Sequence, residues 1–197
     1  MMDTRTLLLK EAEKLVRTRG FAAFSYADLS KRVGIRKASI HHHFSTKEEL
    51  GGALIDGYLI NFQEALQTIL SEEVQFGKRL SRYADFFDKS IDEGMLPLCG
   101  ALSAEMSALP KSMQERVRSF FELHLKWLQE VIRAGIISEE LRGGIDAKRA
   151  AELILSALEG ASLVAWATGD GKTVKRAVEG VITGFDRGAL SGDRPAV

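Results

Sequence analysis

The sequence is short of several things, and each shortage excludes something. Its 197 residues include one cysteine and three prolines. The lone thiol, Cys99, cannot close an intramolecular disulfide and suits a reducing cytoplasm. With proline so rare, long helices can run uninterrupted. No window approaches the roughly 18 uninterrupted apolar residues of a membrane span. The opening MMDTRTLLLKEAEKL is broken by charge before it could form the roughly 7–15-residue apolar core of a secretory signal. Strand-like alternation is nearly absent, and there are no internal repeats or low-complexity tracts. Net charge is missing too, since 27 basic residues balance 27 acidic ones. The chain as a whole therefore has no electrostatic bias toward nucleic acid. What remains is a globular all-α chain, expected in the cytoplasm, whose 45% hydrophobic residues can bury a core.

The charge balance hides an asymmetry. Through Leu50 the basic residues outnumber the acidic ones, leaving that stretch at about +4 and the remainder at about −4. The same stretch is rich in helix punctuation. Leu7, Leu8, Ala12, Leu15 and Val16 form a one-sided stripe that ends at Gly20. Ser25 followed by Asp28 resembles a capping box, so a second helix starts there, runs through Leu29 and Val33, and stops at Gly34. A third short helix begins near Lys37, with Ile40 and Phe44 spaced to face inward against Leu29 and Val33. Helix, short glycine-containing turn, helix is the helix-turn-helix arrangement, and its second helix is the candidate reader of DNA. From Thr46 a longer helix follows, in which Gly51 and Gly52 weaken the intrinsic propensity and permit close packing or flexing. Five more helices are expected at about 75–92, 97–108, 110–134, 147–168 and 172–189, with SGDRPAV as a frayed tail.

The stretch FAAFSYADLSKRVGIRKASIHHHFSTKEEL resembles the DNA-binding segment of TetR/AcrR-type transcriptional regulators. The nine-helix layout and the length are similar to that family across nearly the whole chain, and LCGALSAEM resembles a segment of one branch of it. The resemblance implies a three-helix DNA-binding domain over residues 1–48, a ligand-binding and dimerisation domain over 49–190, and a tail over 191–197. It also implies a homodimer on double-stranded DNA, released by a small molecule that alters the spacing of two reading heads. DNA contacts are implied at Tyr26, Lys37, Ser39, His41, His42, His43 and Lys47. His41 stands where the family commonly carries an aromatic residue, and Ala38 where it often carries glycine.

The residue chemistry agrees with that mapping. Base-edge donors flanked by phosphate donors are what a reading helix needs, and Lys37, Ser39, His42, His43 and Lys47 supply both. A metal site is the competing reading of three consecutive histidines. Successive helical side chains diverge by roughly 100°, however, so His41, His42 and His43 contain no i,i+3 or i,i+4 pair able to converge on an ion. No metal and no cofactor is expected. Imidazoles titrate near neutrality, so DNA binding should tighten as pH falls from about 8 to about 6.

The C-terminal half carries apolar and aromatic residues at helical spacing, most of them expected to be plain core. Phe86, Phe87, Cys99, Leu102, Met106, Phe120, His124, Trp127 and Trp166 are the candidate lining of an effector cavity, with His124 either a polar anchor or a satisfied core histidine. The candidate dimer surface is Leu153, Ala157, Gly160, Ala161 and Val164 on one helix, together with the seam Val174, Val178, Val181 and Phe185 on the next.

These readings converge on a ligand-responsive repressor of a palindromic operator, with an apolar or aromatic effector. Three alternatives stand beside it: an activator, a ligand-independent DNA-binding protein of the same fold, and a redox or electrophile sensor acting through Cys99. An enzyme built on a helical bundle is disfavoured, because Glu122 and His124 fall one residue short of a Glu-x-x-His pair and have no second copy.

Overall fold

In the computed structural model, residues 3–185 are described. Among them the chain forms nine α-helices, one 3-10 turn and no strand. The helices are α1 (Thr4–Arg19), α2 (Tyr26–Val33), α3 (Lys37–His43), α4 (Lys47–Glu72), α5 (Phe76–Asp92), α6 (Leu98–Ser103), α7 (Lys111–Ile137), α8 (Ala147–Thr168) and α9 (Thr173–Phe185). The all-α expectation holds. The expected end of the last helix at 189 and the tail over 191–197 lie outside the described residues.

The helix ends follow the local chemistry read from the sequence. Asp3 caps α1 by accepting the Thr6 N–H at 2.8 Å. Ser25 and Asp28 form a full capping box at the start of α2, and Gly34 ends that helix in the left-handed region at φ 76°. Such a cap contributes about 1 kcal/mol. Asp146 caps α8, and Gly169 closes it at φ 71°. The helix expected over 97–108 is interrupted: α6 stops at Ser103, and Met106–Ala108 form the 3-10 turn. Glu105, in the gap, is drawn off to hydrogen-bond elsewhere, as described below. α7 runs three residues beyond its expected end, and Glu139 just after it takes φ 61°.

The chain divides into two compact units. Among the described residues, the first comprises 3–63 with Gly94–Phe121; the second comprises Glu64–Glu93 with 122–185. In the first, Leu8, Ala12, Leu15, Leu29, Ile40, Phe44, Leu50 and Ile55 are essentially inaccessible. Burying each large side chain contributes about 1.5–3 kcal/mol. α4 runs unbroken through Gly51 and Gly52. A side chain on Gly51 would lie 2.6 Å from the Met113 methyl and 2.8 Å from the Phe21 ring, so this glycine serves close packing.

In the second unit, Leu80, Tyr83, Leu128, Ile132, Ile154, Leu158 and Val174 form the core. α8 is long and apolar enough, by length and composition, to cross a membrane. One of its faces is occupied instead by packing inside the unit, through Ala151, Ile154, Leu155 and Leu158.

Candidate nucleic-acid interface

α3 is held from beneath and open above. Ile40 and Phe44 are 0% and 1% exposed, which pins one side of the helix to the α1–α2 layer and turns the rest outward. Lys37, Ala38, Ser39, His41 and His42 are exposed, and His43 is half-buried. Ser39 and His42, with Lys37 at the start of the helix, therefore present donors on an accessible surface. The His42 and His43 rings meet edge to face at 5.5 Å. Among the described residues, no group of three or more His, Cys, Asp or Glu side chains is arranged to hold a metal ion.

His41 has a second task. Its Nδ1 lies 3.1 Å from the Ser45 carbonyl. An acceptor there requires the proton on Nδ1, which leaves Nε2 facing away from the loop. The ring also meets Tyr26 at 4.9 Å.

Two of the expected DNA contacts are engaged inside the protein. The Tyr26 hydroxyl donates toward the carbonyls of Thr46 at 2.7 Å and Phe44 at 3.0 Å, tying the start of α2 to the end of α3. Burial, assisted by the negative charge of Glu49, pushes that phenol up to about 12. Its single proton is thus committed to the fold. The Lys47 ammonium donates to the Phe21 carbonyl. It lies 4.5 Å from the centre of the Phe21 ring and 4.4 Å from that of Phe24. Desolvation lowers its pKa, against the opposing pull of the Glu105 and Asp28 charges. In this structure Tyr26 and Lys47 shape the head, and Lys37, Ser39 and His42 are the accessible donors.

The expected effector residues fall in both units. In the first, Cys99, Leu102 and Phe120 are buried and Met106 is half-buried. The Phe120 ring lies 5.4 Å from Phe62 and 5.5 Å from Tyr58. In the second unit, Phe87, His124 and Trp127 are buried and Phe86 is half-buried. Trp166 is 40% exposed on the outside of α8, away from the unit's interior.

His124 is buried, 1% exposed, in the interior of the second unit. Its Nδ1 is hydrogen-bonded to the Tyr83 hydroxyl at 2.5 Å, and burial pushes the imidazole down to about 3, so the ring is neutral. Tyr83 in turn stacks on Trp127 at 5.1 Å and meets Phe87 at 5.5 Å. Trp127 Nε1 donates to the Leu66 carbonyl. Tyr83 escaped the sequence reading, although its i,i+4 spacing to Phe87 was a usable signal. Glu159 escaped it as well. This α8 carboxyl has one oxygen buried without a hydrogen-bond partner, and burial pushes its pKa up to about 7.

The expected dimer surface is divided. On α8, Leu153 and Val164 are 57% and 52% exposed, Leu163 is exposed beside them, and Ala157 and Gly160 are half-buried. Ala161, Val174 and Val178 are buried within the chain itself. α9 packs on α5 and α8, which covers the seam that its spacing suggested would be free. Val181 and Phe185 are half-buried.

Known proteins resemble this chain over most of its length. Residues 8–54 match the family described as bacterial regulatory proteins, tetR family, and residues 79–181 match the tetracyclin repressor-like C-terminal domain. The HTH-type transcriptional repressor DhaR of Mycobacterium sp. (strain GP1) is 24% identical over 160 residues, covering 81% of this chain and 80% of that protein. The HTH-type transcriptional repressor NemR of Escherichia coli (strain K12) is 28% identical over 144 residues, covering 72% of this chain and 69% of NemR. The crystal structure of a TetR-family transcriptional regulator from Agrobacterium tumefaciens superposes with a TM-score of 0.88 at 29% identity, covering 92% of this chain and 97% of that one.

Proposed function

The chain belongs to the TetR family of bacterial regulatory proteins, and from that premise we propose that it is a homodimeric, effector-released repressor that reads a palindromic operator with α3. The observation that carries this reading is the outward surface of α3, where Lys37, Ser39 and His42 stand exposed on a helix anchored by Ile40 and Phe44. Phosphate donors and base-edge donors are both present there, the division of labour that positions a reader and lets it discriminate. The printed names of DhaR and NemR support the repressor sign.

The dimer forms through the exposed apolar face of α8, with Leu153, Ala157, Gly160 and Val164 at its centre. An exposed stripe of this kind is the sort of surface that a two-fold axis covers with its own copy. Two heads on one dimer then match two half-sites. The effector is apolar or aromatic, and it acts by preferring the state that binds DNA less well, so each ligand weakens the other by the same factor. The protein works in the cytoplasm and carries no enzymatic activity. A redox sensor through Cys99 is the weaker reading, since that thiol is 1% exposed and thiolate chemistry favours accessible, electropositive sites.

Deleting the gene while following its own promoter with a reporter tests the sign. Increased expression supports repression, and decreased expression means an activator. Unchanged expression, with no binding of the purified protein to that promoter, would overturn the reading.

A further inference from the structure

The α1–α2 turn is gripped from two sides. The Glu105 carboxylate takes both of its leading amides, with Phe21 N–H donating to Oε1 at 2.7 Å and Ala22 N–H donating to Oε2 at 2.8 Å. On the carbonyl side of the same turn, the Lys47 ammonium donates to Phe21 O and lies over the Phe21 and Phe24 rings. Gly20 makes room for the carboxylate: it takes φ 93°, and a Cβ there would stand 2.2 Å from Glu105 Oε1. Nine residues earlier the same segment holds α1 directly. Arg17, 6% exposed, donates from Nε to the Leu96 carbonyl at 2.7 Å, and Leu96 N–H donates back to the Arg17 carbonyl at 3.3 Å.

We propose that Glu105, which lies far outside the helix-turn-helix in sequence, is a positioning residue for DNA binding. It acts by fixing the α1–α2 turn from which the reading helix is hung. The turn leads into α2, whose Tyr26 hydroxyl is bonded to the Phe44 and Thr46 carbonyls at the end of α3. Rotation of the turn is therefore passed to α3 through a short, hydrogen-bonded path. This rests on the DNA-binding reading of α3 given above. It adds that segment 96–105 sets whether the head is competent, and that the break in the helix between Ser103 and Met106 is what frees Glu105 to reach the turn.

The test uses the full-length protein and a duplex enriched by the wild type from a random-sequence pool. Glu105→Ala should bind that duplex about tenfold more weakly, as it would if the head were competent about one-tenth of the time. Glu105→Gln, which keeps one acceptor, should fall in between. Hydrogen exchange at Phe21 and Ala22 should quicken in both variants. Removing a negative charge near a DNA-binding surface would by itself tighten binding, so weaker binding has the sign that positioning requires and charge does not. Gly20→Ala, which must expel the same carboxylate, should reproduce the loss. Binding is normalised to the folded fraction by circular dichroism. Affinity of Glu105→Ala within twofold of wild type would overturn the proposal, whether or not the turn amides exchange faster. If the wild type enriches no sequence at all, the DNA-binding reading fails first and this proposal falls with it.

Discussion

Lys47 is where the structure departs most sharply from the expected site, and Lys47→Met measures that departure. Methionine keeps most of the apolar stem and removes the ammonium. The charge lies about equally over two rings, at 4.5 and 4.4 Å, and donates to the Phe21 carbonyl. Each cation–π contact contributes about 0.5–2 kcal/mol, and a hydrogen bond from a charged group about 1.5–3 kcal/mol. Desolvation of the ammonium, the leading cause of its lowered pKa, offsets part of this. The net loss should be about 2 kcal/mol, which for a chain of this length lowers Tm by about 4–8 °C. A lysine that neutralises a phosphate behaves differently, since removing it makes the plot of log K against log salt shallower by about one unit. Lys47→Met should therefore destabilise the fold and leave the salt slope unchanged, whereas Lys37→Met should do the reverse. Thermal melts and DNA titrations at several salt concentrations give both numbers. An unchanged Tm with a slope shallower by about one would refute the reasoning and return Lys47 to the phosphate backbone.

The capping box gives a second prediction: Ser25→Ala removes the side-chain acceptor at the start of α2 and should cost about 1 kcal/mol in urea unfolding, and no measurable change would mean the box contributes nothing. Glu159 gives a pH dependence. Its folded-state pKa, about 7 against an ordinary value of 4.5, means the folded protein holds a proton that the unfolded chain releases. Its contribution is fully present below pH 4.5 and is lost as pH rises through 7, by about 3 kcal/mol in all. Glu159→Gln should flatten that part of the stability profile, and a profile identical to wild type between pH 5 and 8 would contradict the assignment.

The fold was legible because its local signals agreed with one another. Ser25, Asp28 and Gly34 mark the ends of α2 through backbone hydrogen bonds that depend only on near neighbours. Ile40 and Phe44 identify the buried side of α3 by spacing alone, which left the histidines facing outward. What could not be read was set by contacts distant in sequence. Nothing near Lys47 indicates that Phe21 and Phe24 will fold under its ammonium, and nothing near Glu105 indicates that its carboxylate will cap a turn more than eighty residues earlier. Val174 and Val178 have the spacing of a free seam, yet spacing cannot tell a face covered by a partner from one covered by α5 and α8. Glu159 sits among small and apolar residues where its burial depends on how neighbouring helices pack.

The central claim is that α3 reads DNA, and the most direct measurement is selection of duplexes by the full-length wild-type protein followed by titration across salt. The account predicts an enriched sequence with two-fold symmetry, bound at least about 10³-fold more tightly than unrelated duplex, with affinity falling steeply as salt rises. No enriched sequence, or equal affinity for enriched and unrelated duplexes at every salt concentration, would contradict it.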